Sequence, residues 1–237
     1  MSTSKTIIVA ALLCLFCSAI VSTTAVKLRP LQIKNQELDV KKNILQAAGL
    51  LSKGDDIEEN FKSITPIRID IESGKSVELN TEDVEIQIPK SDDIAALVSM
   101  PKYPKVYLKK DSSGSVETII LPVVSKGLWS TMRGFMALAT DTKTVKGFSY
   151  YSHGETPGLG GEVDNPKWKN SWIGKVLYDS SWNPKISITK TNRGTAHEVD
   201  ALSGATITSD GVEKSLKFWM SSAAYGKFLS NVRQGAY

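Results

Sequence analysis

The chain has 237 residues, of which 41% are hydrophobic and 23% charged, and a formal net charge of +4. That is enough for one membrane segment and one globular domain with a sizeable core, but not for two large domains. No stretch is polar or repetitive enough for long disorder or a repeat architecture, and lysines interspersed with acids, without a basic stripe carrying aromatics, argue against a nucleic-acid partner.

From Thr6 to Val26 no residue is charged, with Lys5 before the run and Lys27 and Arg29 after it. A helix needs roughly 20 apolar residues to cross the hydrocarbon core, so the run predicts a transmembrane anchor. A cleaved signal peptide is the alternative, since Ser22 to Ala25 offers small residues for cleavage; the apolar run exceeds the roughly 7–15 residues of a signal h-region, which favours the anchor. Cys14 and Cys17 lie inside the run. In a membrane helix they read as small packing residues at i and i+3 rather than a redox pair. The positive-inside count, taken alone, places the larger part of the chain in the cytoplasm, because Lys27, Arg29, Lys34, Lys41 and Lys42 outweigh Lys5.

Leu31 to Leu51 has helical periodicity and predicts a stalk, broken at Ser52 to Asp56, with a short helix at Ile57 to Phe61. Ile67, Ile69 and Ile71 alternate with Arg68, Asp70 and Glu72 as a half-buried strand, and Val84, Ile86 and Ile88 repeat the pattern. Val106 to Leu108 and Val116 to Val124 flank the turn at Asp111 to Gly114; Phe135 to Thr140 and Val145 to Tyr151 flank another at Asp141 to Lys143. A short helix near Pro166 to Trp172, strands near Val176 and Ile186 to Thr189, and a helix from about Ser209 to Tyr225 follow. The fold class is therefore α+β: an antiparallel sheet with packed helices, preceded by one transmembrane helix.

Two segments carry chemistry. Asp200 to Ser209 reads D-A-L-S-G-A-T-I-T-S, in which Gly204 permits a tight turn, Ala205 keeps it uncluttered, and Ser203, Thr206, Thr208 and Ser209 offer hydroxyls beside a helix start. Ser209 or Asp210 can cap that helix, Glu213 complements its positive end, and Val212, Leu216 and Trp219 form its buried stripe. A cap and a phosphate site are both open readings of this segment. Glu155 to Gly161 follows His153; Pro157-Gly158 makes a type II turn, and Gly158, Gly160 and Gly161 bracket Leu159 so that a flat ligand could approach it closely. Trp129 is either a second platform for such a ring or core. The domain beyond the apolar run has no cysteine and only His153 and His197 as imidazoles, so no metal-ligand set and no disulfide is expected. Nor is a hydrolase, since a G-x-S-x-G elbow is missing.

The D-A-L-S-G-A-T-I-T-S segment resembles the flavinylation motif of covalent FMN-binding domains. With H-G-E-T-P-G-L-G-G-E-V-D-N-P-K-W-K, G-L-W-S-T-M-R-G-F-M-A-L-A-T-D and the N-terminal anchor, nearly the whole chain resembles the NqrC family of sodium-translocating NADH:quinone oxidoreductases. The homologous flavoprotein of the Rnf complex shares the flavin motif but not the continuation after G-G as closely.

The resemblance implies one FMN esterified through its phosphate to Thr206, with no catalytic residue and no metal ligand in the chain itself. Ser203, Gly204, Ala205, Thr208 and Asp200 match the motif; Glu155, Thr156, Gly158, Leu159, Gly160 and Trp129 are the other expected cofactor-binding residues. A flavin transferase would move FMN from FAD to the threonine hydroxyl, with Asp200 as a carboxylate that could assist metal-dependent transfer. The implied partners are the other subunits of a membrane oxidoreductase complex, that transferase and the lipid bilayer. The implied function is electron relay from NADH towards quinone, coupled to sodium export.

Against the charge count, the resemblance implies a single-pass protein of the bacterial inner membrane with residues 1–5 cytoplasmic, 6–26 spanning, 27–56 as a helical stalk allowing motion between partners, and 57–237 as a periplasmic FMN-binding domain. A non-redox anchored binding or scaffold module, with the hydroxyl cluster acting only as a cap, is the reading from another class.

Overall fold

A computed structural model describes residues 2–52 and 54–237. The first element, α1 (Thr3–Ala47), continues through Pro30, so one helix takes in the run expected to span and the expected stalk as far as Ala47. Its N-terminal part is long and apolar enough to cross a membrane, and its apolar side chains there are exposed. The chain divides after Val40. The last turns of α1, with Ile44, Leu45 and Ala47 buried, thus belong to the globular unit of residues 41–237.

That unit continues through α2 (Ile57–Phe61), β1 (Ile64–Ile69), β2 (Ser76–Val77), β3 (Glu85–Gln87), β4 (Ser99–Pro101), β5 (Lys105–Lys110), β6 (Val116–Lys126), β7 (Thr131–Ala139) and β8 (Val145–Ser152). Asp56 caps α2, accepting from the amides of Glu58 and Glu59. β2, β1, β5, β6, β7 and β8 lie side by side in that order, every pair antiparallel, as the alternating patterns predict. The two hairpin turns are held by aspartates: Asp111 accepts from the amides of Ser113 and Ser115, and Asp141 from those of Lys143 and Thr144. β3 and β4 form a separate antiparallel ribbon.

Alternation along β6 sends Ile119, Leu121 and Val123 into the main core, while Ile120 is buried outside that cluster. On that other side Ala137 pairs with Gly147, and the carbonyl of Ala47 lies so close to Gly147 that a Cβ there would overlap it.

A 3-10 turn (Gly160–Asp164), α3 (Pro166–Asn170), β9 (Ser187–Thr189), β10 (Glu198–Asp200), α4 (Thr206–Trp219) and α5 (Gly226–Arg233) complete the fold. β9 and β10 pair in parallel. The strand expected near Val176 is only an isolated bridge to Thr144.

The C-terminal helix differs most from its expectation. It begins at Thr206 rather than Ser209 and stops at Trp219, and after a turn at residues 220–225 the shorter α5 follows. Trp219 and Tyr225 explain the arrangement. β5 pairs with β6 only as far as Ile120, which leaves the far half of β6 without a neighbour on that edge. Its carbonyls are satisfied instead by side chains of the helical segment: the Trp219 indole N–H donates to Val124 (2.8 Å) and the Tyr225 hydroxyl to Pro122 (2.9 Å). Further along, Gly211 lies directly on the carbonyl of Lys126. α4 therefore runs along an exposed strand edge, and its first turn arrives beside the β6–β7 connection.

Candidate functional site

Three segments meet at the start of α4: the β6–β7 turn at residues 127–130, the glycine-rich loop after β8, and the segment from Asp200 into the helix. Their common partner is the carboxylate of Glu155, a side chain belonging to a residue only 5% exposed. One oxygen accepts from the amides of Trp129 (2.9 Å) and Ser130 (3.0 Å) and from the Ser130 hydroxyl (3.1 Å). The other accepts from the amide of Leu128 (3.0 Å) and the Thr208 hydroxyl (2.7 Å). Ser130 Oγ also accepts from the Gly154 amide, joining the two loops a second time.

Burial opposes ionisation of Glu155, but hydrogen bonds from Thr208, Trp129, Leu128 and Ser130 outweigh it and hold the carboxyl below its usual range. A group whose pKa is depressed by folding adds stability at neutral pH that is lost as pH falls from the unfolded value through the folded one. Acidification below about pH 4.3, the ordinary glutamate value, is therefore expected to loosen this junction. Glu155→Gln should flatten the fall of melting temperature over that range, and an unchanged profile would contradict the assignment.

Glycine makes the convergence possible. A Cβ on Gly127 would overlap the Glu155 carboxylate, and one on Gly160 would sit 2.7 Å from both Glu155 Oε2 and Thr208 Oγ1. The turn at Pro157-Gly158 forms as its residues predict: the Leu159 amide donates to the Thr156 carbonyl at 3.1 Å, and Gly158 has φ +77°. The Gly161 amide donates to the same carbonyl, while the Thr156 side chain faces solvent. Leu159 is lifted by this turn against Gly204, whose φ is +70° and whose Cβ, if present, would be 2.8 Å from Leu159 Cδ2.

The four hydroxyls of the motif separate into two kinds. Thr208 is buried and bound to Glu155; Ser209 is buried, accepts from the Leu202 amide and donates to the Ala205 carbonyl. Ser203 and Thr206 are exposed. Thr206 is the first residue of the 14-residue helix, and the N-cap position, Ala205, supplies no side-chain hydrogen bond. The expected capping by Ser209 or Asp210 is thus not what the structure has, since both lie within the helix. Glu213 is too far along to complement the positive end; it accepts from the amide of Ile188 (2.6 Å) and the hydroxyl of Ser187 (3.1 Å) and pairs with Lys217. It fastens the middle of α4 to β9. The first turn of α4 thus has amides with no side-chain cap from Ala205, and such a helix start attracts an anion. Asp200 ends β10 with an exposed side chain, and its carbonyl accepts from the Trp168 indole at 3.0 Å.

The segments that meet at this junction carry large apolar side chains in solvent. Trp129 is 72% exposed, which removes its reading as core, and Leu159 is 45% exposed. Two more escape the sequence reading: Leu128 and Ile207, both about half exposed. Ile207 lies off the buried stripe of Val212, Leu216 and Trp219, a signal present in the sequence. It shares a helix face with Gly211, which rests on Lys126, so Ile207 borders the turn carrying Leu128 and Trp129. Exposed apolar side chains thus lie on three segments of this junction: Leu159 on the loop against Gly204, Leu128 and Trp129 on the turn bound to Glu155, and Ile207 beside Thr206 in the chain. Among the described residues no cluster suited to a metal ion occurs.

Comparison with known proteins identifies the family. Residues 127–221 match the model of the FMN-binding domain family, a range that opens at the β6–β7 turn and closes just after α4. The chain is 41% identical to the NqrC component of the Na(+)-translocating NADH-quinone reductase of Yersinia pestis, over 99% of this chain and 95% of the relative. It is 42% identical to that of Vibrio alginolyticus, over 99% and 96%. The crystal structure of Shewanella oneidensis NqrC is similar with a TM-score of 0.75 at 30% identity, covering 83% of this chain and 97% of that one.

Proposed function

The chain belongs to the NqrC family of the Na(+)-translocating NADH-quinone reductases, and from that premise we propose that it carries a single FMN covalently on Thr206 and relays electrons from NADH towards quinone. The observation that carries the reading is the state of one hydroxyl: Thr206 is exposed at the uncapped start of α4, whereas Thr208 and Ser209 are buried and hydrogen-bonded to protein. These residues fit the cofactor. The amides of the first helical turn suit a phosphodiester, Gly204 keeps the attachment segment free of a side chain, and Leu159, Trp129 and Ile207 suit the faces and edge of an aromatic ring system.

FMN supplies reversible one- and two-electron redox chemistry when bound. This chain's own residues bind and orient: Thr206 holds the group permanently, Gly158 and Gly160 shape the loop that raises Leu159, and Thr208 with Glu155 fixes the helix start beneath it. Ser203 and Ala205 keep the attachment segment small, and Asp200 offers a carboxylate at its entrance for a metal-dependent flavin transferase. Permanent attachment suits a relay, since the redox group cannot dissociate between partner subunits.

The proposed setting is the bacterial inner membrane, with the N-terminal part of α1 as a single-pass anchor and residues 57–237 on the periplasmic side, in a complex whose electron transfer drives sodium export. Co-expression with a flavin transferase should give a yellow protein that keeps its flavin fluorescence in a denaturing gel; a colourless product would favour a non-redox module. Protease added to intact spheroplasts should digest the globular unit, and protection there would place it in the cytoplasm.

A further inference from the structure

We propose that Glu155 is a positioning residue of the flavin site that fixes the Trp129 turn and the Leu159 loop against the helix bearing Thr206 and, as a buried negative charge, holds the potential of the attached group low. The inference rests on the reading of Thr206 as the flavin carrier. Glu155 does not face the open side of the site, because its oxygens are engaged by Leu128, Trp129, Ser130 and Thr208. Those donors come from segments 25 to 27 residues before it and 53 residues after it in the chain. A single carboxylate thus sets the register of the turn bearing Trp129 against the helix bearing Thr206, while its own loop carries Leu159 four residues on. Gly127 and Gly160 are the positions at which any Cβ would push it out.

The second consequence is electrostatic. All five donors are uncharged, and no cation pairs with Glu155 among the described ion pairs. Its hydrogen bonds stabilise the charge without cancelling it. Thr208, bonded to it, is two residues from Thr206. Accepting an electron makes a group at Thr206 more negative, and a fixed negative charge beneath a partly desolvated site opposes that gain. Removing the charge should therefore raise the midpoint potential.

The test uses the full chain co-expressed with a flavin transferase, comparing the parent with Glu155→Gln, Thr208→Val and Thr208→Ser. Glutamine must present an NH2 group to donors that need an acceptor, so it breaks at least one bond and removes the charge. Glu155→Gln is expected to shift the midpoint potential, read by spectroelectrochemical titration, to more positive values. It should also speed amide exchange at residues 128–130 by about tenfold or more, as expected for a lost charge-assisted hydrogen bond. Thr208→Val should speed the same amides while keeping the charge and shifting the potential less, and Thr208→Ser should restore parent behaviour. A flavin-bearing Glu155→Gln protein with the parent's potential overturns the electrostatic role, and unchanged exchange at 128–130 in both Glu155→Gln and Thr208→Val overturns the positioning role. If Glu155→Gln does not fold, the contrast between Thr208→Val and Thr208→Ser decides positioning by itself. A parent chain without covalent flavin overturns the carrier reading and this inference with it.

Discussion

Thr206→Val is expected to give a folded, membrane-bound protein that carries no covalent flavin at all. The substitution is nearly isosteric and falls on an exposed residue at the first position of α4, where no side-chain hydrogen bond caps the helix. Surface changes of this kind alter stability by about 0.5 kcal/mol or less, so loss of flavin cannot be ascribed to unfolding. Intact-protein mass spectrometry after denaturation reads the result directly. Thr206→Ser keeps a hydroxyl at the same place and should retain attachment. Ser203→Ala should retain it fully, because the other exposed hydroxyl lies before Gly204, outside the helix. Flavin that survives denaturation on Thr206→Val would mean that another hydroxyl is the acceptor, and Ser203 would be the first to examine.

The second large effect is on stability. In an exposed helix interior, replacing glycine by alanine stabilises by about 1 kcal/mol. At Gly211 the sign should reverse, because a methyl group there would overlap the Lys126 backbone carbonyl, which is fixed in β6 and cannot rotate away. Overpacking of this sort costs about 1–3 kcal/mol, and a backbone obstacle puts Gly211→Ala at about 3 kcal/mol. For a unit of this size that lowers the melting temperature by on the order of 10 °C. The effect should reach the site, since α4 can relieve the clash only by moving off the strand edge and carrying Thr206 and Thr208 away from the Glu155 junction. Reduced flavin incorporation should accompany the lower melting point. Gly114→Ala is the comparison: it has φ +85° but open space around it, so it should cost only about 1 kcal/mol and leave the site untouched. A Gly211→Ala protein more stable than the parent would show that α4 does not rest on β6 as described.

Much of the fold can be read locally. The β5–β6 and β7–β8 hairpins announce themselves through alternating apolar residues and through Asp111 and Asp141, whose side chains bond amides two to four residues on. Asp56 likewise marks the start of α2. Such signals work because the interacting groups are neighbours in sequence. The same locality misplaces the start of α4: Ser209 and Asp210 are good capping residues by type, yet packing on the edge of β6 draws the helix back to Thr206 and buries Ser209. The indole and phenol that finish the carbonyls of Val124 and Pro122 join residues too far apart in the chain for any local pattern to reveal them.

The motif at Asp200 to Ser209 and the loop from His153 identify the family, because its signature, a hydroxyl among small residues followed by a helix, is written in consecutive letters. An uncharged run of about membrane length and an antiparallel α+β pattern are legible for the same local reason. Which hydroxyl is exposed, and which groups Glu155 holds, are tertiary facts. Thr206 and Thr208 are alike by type and two positions apart, but the turn of a helix sends one to solvent and the other onto a buried carboxylate. That carboxylate gathers donors from distant segments, a coincidence in space that no spacing along the chain encodes.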